Sequence, residues 1–169
     1  SMLKKGTTTF VDFREGGLDG VLLIQKMLSN VPIRAIILGR LEFYQSKNQI
    51  KKNSSIPKSY LNQLEPLLTN CDGIGISGSN ENSDSALKQL SKTKKTRAIH
   101  CAETEQSYLK SKQTTKKTEP ERCMLLKPDF LVHMTYASKS DLKLVSKKIR
   151  GIVVCPRANA SLAEGIPDI

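Results

Sequence analysis

Apolar positions along the chain fall into six short, nearly continuous runs that are rich in β-branched residues. Such runs are typical of strands buried on both faces, whereas a strand with one face in solvent alternates apolar and polar positions. The runs predict strands at residues 8–13, 33–38, 73–77, 97–100, 129–133 and 151–155. The pattern therefore indicates a sheet that is covered on both sides.

Between these runs, apolar residues recur at helical spacing. One predicted helix face consists of Leu18, Val21, Leu22 and Leu28. A second consists of Tyr60, Leu61, Leu64, Leu67 and Leu68. Pro66 is expected to kink this second helix. Ser138 stands three residues before Asp141, which is a capping-box pattern and predicts a helix start. The inner face of that helix is predicted to be Leu142, Val145 and Ile149.

Strand and helix patterns alternate through the chain, which predicts an α/β fold with a parallel sheet. An open doubly wound sheet and a (β/α)8 barrel both fit this order. Since a barrel takes about 250 residues, periodicity alone slightly favours the open sheet. Residues 44–55 are rich in lysine, serine and asparagine and are expected to form a surface loop. No shift in composition marks a second domain, so residues 1–169 are predicted to form one domain.

The net charge of +11 raises the question of a nucleic-acid partner. Lysines cluster around residues 47–52, 92–95, 110–117 and 143–148 rather than in one stripe. Aromatic residues make up only 5% of the chain, with no tryptophan, although single-strand binders stack bases on aromatic rings. Solvated helix faces are therefore favoured, and a basic nucleic-acid-binding or scaffold module without catalysis remains the alternative function.

The four cysteines are scattered without a Cys-x-x-Cys pair, which argues against a disulfide framework or a structural zinc site. We therefore expect the cysteines to be buried, reduced thiols in a cytoplasmic protein. No apolar run approaches the roughly 18 residues needed to cross a bilayer. The glycines at positions 16–17 and 73–75 lack the other residues of a nucleotide-phosphate-binding loop. Composition therefore predicts a cytoplasmic protein without a membrane segment.

Both histidines of the chain, His100 and His133, lie at the C-terminal ends of predicted strands. Active sites of parallel α/β folds gather at that edge of the sheet, and a neutral imidazole is a common metal ligand. Glu103 follows His100 by three residues, so a turn could bring its carboxylate to the same edge as a proton carrier. Equally, Glu103 could be an acidic residue in the first turn of a helix. Spacing alone leaves both interpretations open.

Four motifs in this order resemble the amidohydrolase superfamily, and in particular its branch of cytosine and guanine deaminases and chlorohydrolase-like enzymes. They occupy residues 6–13 (GTTTFVDF), 99–104 (IHCAET), 130–133 (FLVH) and 155–159 (CPRAN), and the similarity runs from Gly6 to Asp168. The resemblance implies a metal-dependent (β/α)8 barrel. This chain would supply strands two to seven, a central fragment with about six of the eight βα units of a TIM barrel.

The resemblance also implies roles for the candidate residues. His100 matches the metal ligand of the fifth barrel strand, and Glu103 matches the glutamate that carries protons. His133 matches the histidine of the sixth strand, which orients the attacking water or binds a second metal. The motif at residues 155–159 matches a structural turn in which Ala158 replaces the serine that is more common in relatives.

A zinc ion, or alternatively iron, is the cofactor that the resemblance implies. Residues 73–78 contain no lysine, although two-metal relatives often use a carboxylated lysine there, so the one-metal arrangement is favoured. The family's first His-x-His pair is absent, and Asp168 follows the strand-seven turn too closely to replace the aspartate of strand eight. Catalytic zinc usually has three protein ligands. The chain alone is therefore expected to bind metal weakly or not at all and to be inactive.

The implied activity of the parent protein is hydrolysis of a C–N bond, specifically deamination of an amino-substituted nitrogen heterocycle. In that reaction Glu103 moves protons and His133 positions the water. A hydrolase-derived relic that has lost its metal site is a third hypothesis. Six strands also leave two sheet edges unpaired, and unpaired edges are templates for association, so a homo-oligomer is expected.

Overall fold

The computed structural model describes residues 2–168 and contains parallel strands that alternate with helices. The strands are β1 Thr9–Arg14, β2 Arg34–Gly39, β3 Gly73–Ile76, β4 Thr96–Cys101, β5 Phe130–His133 and β6 Gly151–Val153. Their order in the sheet is their order along the chain. All six predicted strands are confirmed, with ends that agree to within about two residues. The fold is the predicted partial TIM barrel of six βα units.

The helices connect successive strands and mostly begin at side-chain caps. They are α1 Gly17–Leu28, α2 Lys47–Lys51, α3 Lys58–Leu61, α4 Leu64–Thr69, α5 Asp84–Leu90, α6 Glu105–Thr115, α7 Glu119–Cys123, α8 Lys139–Val145 and α9 Pro156–Ser161. Serine or threonine oxygens accept a backbone N–H at the starts of α2, α5, α6, α7 and α8. These bonds satisfy donors that have no partner inside the helix.

Contacts divide the chain into two compact units. The first unit contains β1, β2, most of β3, and helices α1, α3 and α4. Its fully buried side chains are Val21, Leu38, Leu67 and Ile74. The second unit contains nearly all of β4, then β5 and β6, with α2 and α5 to α9. Its buried side chains include Leu87, Ile99, Leu126 and Leu131.

An aspartate directly before a strand fastens it to its neighbour within each unit. Asp72 precedes β3; its backbone N–H donates to the carbonyl of Ile37, and its carboxylate accepts from the N–H of Ile37 at 2.8 Å. Asp129 precedes β5 and makes the same pair of bonds with Arg97 of β4, the carboxylate bond being 3.0 Å. Each aspartate therefore aligns the start of its strand with the strand before it.

One detail is wrong in each of the first two predicted helices. In α1, Val21 is fully buried but Leu22 is 44% exposed, because α1 packs against β1, β2 and α4 through a face that turns away from Leu22. Pro66 does not kink a helix. It lies in the first turn of α4, where proline lacks only an N–H that would have no partner, and the helical stretch instead breaks before Leu64.

The surface segment 44–55 is not simply a loop, because it contains α2. Ser46 and Gln49 form a reciprocal capping box at the start of α2, which is a signal that the sequence carries. The predicted capping box at Ser138 and Asp141 is confirmed at the start of α8. That helix ends at Val145, so Ile149 lies beyond it.

Within residues 2–168, no helix combines the length and the apolar character that crossing a membrane requires. All four cysteines are free thiols. Cys71, Cys101 and Cys123 are buried, as expected, whereas Cys155 is half-buried.

We predict that Gly73→Ala destabilises the protein by at least about 2 kcal/mol, whereas Gly151→Ala changes stability by less than about 0.5 kcal/mol. Both glycines begin a strand. A Cβ at Gly73 would lie 2.1 Å from the backbone oxygen of Thr96, which cannot move aside easily. A Cβ at Gly151 would meet the Phe130 ring at an ordinary 3.8 Å. Equilibrium urea unfolding measures both differences, and equal stabilities would show that the close approach at Gly73 is absent.

Candidate active site

Both histidines lie at the C-terminal ends of neighbouring parallel strands in the second unit. His100 is the penultimate residue of β4, and His133 is the last residue of β5. The register places Cys101 opposite His133, so the two histidines differ by one position along the sheet. Their ring centroids are 5.2 Å apart, with one ring edge-on to the other at 82°. The sheet therefore brings the two imidazoles into contact.

The turn after β4 is held by a buried carboxylate. Ala102 adopts a left-handed conformation with φ of 49°, and its N–H donates to Glu119 Oε2 at 3.1 Å. The hydroxyl of Ser107 donates to the same oxygen, and Glu119 is only 2% exposed. Glu103 follows Ala102 in this turn and precedes Thr104, the N-cap of α6. The carboxylate of Glu103 is thus positioned by a turn, not by a helix.

The turn after β5 is bonded to the turn after β4. His133 and Met134 have φ values of 75° and 57°, in a region that costs residues other than glycine conformational energy. The Met134 N–H donates to the carbonyl of Cys101 at 2.9 Å, and the Tyr136 N–H donates to that of Ala102 at 3.0 Å. These two bonds hold the strained end of β5 beside the end of β4.

Glu103 completes a cluster with the two histidines. Its Oε1 lies 3.3 Å from Nε2 of His133, and potential ligand atoms of His100, Glu103 and His133 all lie within 4.8 Å of one another. Among residues 2–168, no other group of three or more histidine, cysteine, aspartate or glutamate side chains comes together in this way. The side chain of His133 is buried, while that of Glu103 is 32% exposed, so solvent can reach the cluster from the Glu103 side.

Asn159 determines which nitrogen of His133 carries a proton. The Asn159 NH2 group donates to Thr135 Oγ1 and to the carbonyl of Gly165, both at 3.0 Å. Its Oδ1 therefore faces His133 and accepts from Nδ1–H at 3.3 Å. In neutral His133 this leaves an unprotonated Nε2 facing the Glu103 carboxylate. Two acceptors at that distance require a proton or a cation between them.

Burial controls the charge of the groups around the cluster. Burial lowers the pKa of His100, the neighbouring His133 lowers it further, and the carboxylates of Glu103 and Glu81 raise it by less. His100 is therefore neutral at pH 7, the form of imidazole that binds metals. Burial likewise raises the pKa of the Glu119 carboxyl and of the Cys155 thiol, and the Glu103 carboxylate raises the latter further.

The donor atoms of the cluster fit a divalent metal. Two imidazoles and a carboxylate are ligands that zinc takes in proteins, and catalytic zinc sites leave one position for water. A cation between Nε2 of His133 and the Glu103 carboxylate would satisfy both groups, as would a proton. The cluster therefore provides up to three of the ligands of such a site.

The structure brings together all three residues that the sequence nominated. It places Glu103 ahead of α6, so the interpretation as a first-turn helix residue is wrong. The catalytic and metal-binding roles stay predictions. Sequence reasoning missed Glu119 and assigned Asn159 only to a structural turn. No local pattern signals that Glu119 reaches Ala102, since the contact spans 17 residues.

The whole chain, residues 1–169, matches the model of the family described as "Amidohydrolase family". A provisionally named aminohydrolase of Methanothermobacter thermautotrophicus is 34% identical over 176 residues, and an uncharacterised protein of Methanocaldococcus jannaschii is 35% identical over 181 residues. Each alignment covers 99% of this chain and 43% of the relative. The chain thus spans less than half the length of the curated relatives it matches.

Among solved structures, the chain is similar to a zinc-bound adenosine deaminase from Xanthomonas campestris. The TM-score is 0.72 at 19% sequence identity, and the match covers 98% of this chain and 39% of the deaminase chain. At this identity the similarity establishes the fold, and it supports the barrel rather than the open doubly wound sheet.

We predict that His100 titrates below 6.5, the ordinary value for histidine, in metal-free protein. NMR of the imidazole protons measures the midpoint, and His133→Asn leaves His100 as the only histidine and so assigns its signals. In that variant the midpoint of the His100 titration should rise, because His133 no longer lowers the pKa. It should stay below 6.5 because His100 is still buried.

The lowered pKa of His100 also makes the stability of the protein depend on pH. Between the depressed pKa and 6.5 the unfolded chain binds more protons at His100 than the folded chain does. The contribution of His100 therefore lowers the free energy of unfolding as pH falls through this window. A midpoint at or above 6.5 in the wild-type chain would contradict the buried position of His100.

Proposed function

The chain belongs to the amidohydrolase family, and on that premise we propose that the complete protein carrying these residues hydrolyses a C–N bond with a divalent metal. One observation carries the proposal: Glu103 lies 3.3 Å from His133, and His100 completes the cluster, at the C-terminal edge of adjacent strands. Active sites of this fold class are built at that edge. A carboxylate beside two imidazoles supplies both metal ligands and a proton carrier.

We propose deamination of an amino-substituted nitrogen heterocycle as the reaction and such a small molecule as the substrate. The similarity in fold to an adenosine deaminase and the motifs shared with deaminases support this choice. Hydrolytic deamination adds water to a ring carbon, breaks the bond from that carbon to the amino group and releases ammonia. The reaction needs a group that takes a proton from water and returns it to the departing nitrogen.

His100 would hold the metal, with zinc as the first choice and iron as the second. When bound, such a metal polarises water and brings its pKa towards 7. The neutral state of His100 suits this task because only the unprotonated nitrogen has a lone pair to donate. The zinc in the Xanthomonas campestris neighbour supports the choice of metal.

Glu103 would move the protons, and His133 would orient the water. The Glu103 side chain is 32% exposed, so a substrate can approach its carboxylate. It would accept a proton from the attacking water and deliver it to the amino nitrogen as the C–N bond breaks. The bond from Asn159 fixes the ring of His133 with Nε2 towards Glu103, so the buried imidazole presents one defined nitrogen to the water.

We also propose that the 169 residues alone bind metal weakly and do not turn over substrate. The support is the donor set: residues 2–168 gather three potential ligands, and one of these is needed as the proton carrier. His133 is needed to orient the water, so His100 alone is left for a catalytic zinc that normally takes three protein ligands. Turnover by the purified 169-residue chain that a chelator abolishes would contradict this proposal.

A cytoplasmic location, one domain and a homo-oligomeric state complete the proposal. The four free thiols support a reducing compartment. Apolar side chains that remain 43–52% exposed support association: Val11 on β1, Val153 on β6 and Val154 directly after it. Sedimentation velocity over a dilution series would reveal a dimer, whereas a monomer at every concentration would contradict the oligomer.

We predict that Glu103→Gln in the complete protein lowers kcat by about 100- to 10,000-fold, because the amide keeps the shape of the side chain but cannot carry a proton. The metal content should be retained, because the glutamine change leaves the proposed metal ligand His100 in place. Steady-state kinetics and elemental analysis of the same samples measure the two effects.

Glu105→Gln is the matched control. Glu105 is an exposed residue in the first turn of α6, two positions away, and the same charge is removed. Its activity should remain near that of the wild type. If Glu103→Gln also kept activity within a few-fold, Glu103 would not be the proton carrier.

A further inference from the structure

A cavity in the second unit lies apart from the cluster of His100, Glu103 and His133, and none of these three residues lines it. It is a cavity of about 630 Å³, a size in the range of small-molecule sites. Its walls come from α2 and the chain just after it, from the segment before α5 and the first residue of α5, from the middle and end of α6, and from α7. The catalytic proposal uses no side chain of this cavity.

Arg122 forms the buried wall of the cavity and is held rigidly. Its Nε donates to Asp84 Oδ1 at 2.9 Å, its Nη2 to the carbonyl of Asn82 at 2.6 Å, and its Nη1 to Asn80 Oδ1 at 3.3 Å. These contacts engage three of the five N–H groups of the guanidinium. Arg122 is only 2% exposed, so its position is set by the fold.

Asp84 is the single acidic side chain among the described residues that line the cavity, and two cations neutralise it. Arg122 binds one carboxylate oxygen, and Lys117 binds the other at 2.8 Å. Burial raises the pKa of Asp84, but the hydrogen bonds from Lys117 and Arg122 outweigh burial and hold it below its ordinary value. Asp84 therefore leaves little negative charge for the other cations of the cavity.

Three lysines of the cavity carry positive charge that no acidic side chain within residues 2–168 neutralises. Lys47 and Lys51 lie one helical turn apart on α2, and Lys110 lies on α6. None of the three ammonium groups makes a hydrogen bond or an ion pair with any residue in the described part of the chain. Three like charges around one concavity repel one another and are stabilised by an anion between them.

We propose that this cavity binds a small organic anion that carries a phosphate group. The three lysines would bind the phosphate oxygens, and Ile50 with the aliphatic lysine stems would contact the organic part. No aromatic side chain lines the cavity among the described residues, so base stacking of the kind used for single-stranded nucleic acid is not available there. A small phosphorylated molecule therefore fits better than a nucleic-acid strand.

Isothermal titration of the metal-free chain with inorganic pyrophosphate tests the proposal, with chelator present so that no metal contributes. The wild type should bind pyrophosphate saturably at one site. The triple change Lys47→Gln, Lys51→Gln and Lys110→Gln should weaken binding at least about tenfold, since charge-assisted hydrogen bonds are lost. Lys51→Glu alone should weaken it in the same direction, which keeps the test valid if the triple variant folds poorly.

A matched control removes the same charge elsewhere. Lys143, Lys147 and Lys148 are exposed lysines on and just after α8, none of which lines the cavity. Changing all three to glutamine should leave pyrophosphate affinity within a factor of about two, apart from the small effect of net charge. Equal losses in the two triple variants would overturn the proposal, because binding would then follow overall charge.

A labelled single-stranded RNA tests the alternative that the cavity is part of a nucleic-acid-binding surface. Pyrophosphate should compete with any RNA that binds at the cavity. If RNA binds while pyrophosphate neither binds nor competes, the surface is a nucleic-acid surface and the small-molecule site is refuted. The absence of saturable pyrophosphate binding in the folded wild-type chain would refute it as well.

Discussion

The candidate active site depends on the hydrogen bonds that join the turn after β5 to the turn after β4. The N–H groups of Met134 and Tyr136 donate to Cys101 and Ala102, and they hold His133 in a conformation that a free chain rarely adopts. Glu119 then fixes Ala102 from the other side and so positions Glu103. The cluster is preorganised because its backbone is held on both sides.

The buried polar groups behind the cluster also connect it to the basic cavity. Arg122 donates to Asn80, and the Asn80 amide donates to the carbonyl of Ser107 at 2.8 Å. The hydroxyl of Ser107 then donates to Glu119, which holds the Ala102 turn. Each of these groups is satisfied by its neighbour, as buried polar networks require. The same network of buried polar groups therefore supports the candidate active site and the wall of the cavity.

Much of the fold followed from the sequence because runs of apolar, β-branched residues leave a strong local signal. The expected burial on both faces was wrong for β1 and β6, which contain no buried residue. Continuous apolar runs located all six strands, and both histidines were found from their places at strand ends. Local patterns did not predict the exposure of Leu22, which depends on how α1 packs. The polar composition of residues 44–55 led to the expectation of a loop, although the capping box of α2 is a local signal. The bond from Asn159 to His133 and that from Glu119 to Ala102 join residues distant in sequence, which no local pattern specifies.

The most direct test of the central claim is a nuclear Overhauser measurement between the two imidazole rings of the metal-free chain. With only two histidines, selective labelling gives unambiguous ring-proton signals. Because the ring centroids lie 5.2 Å apart and edge-on, a cross-peak between His100 and His133 is expected. A folded chain without that cross-peak would show that the two side chains do not meet and that the proposed active site is not formed.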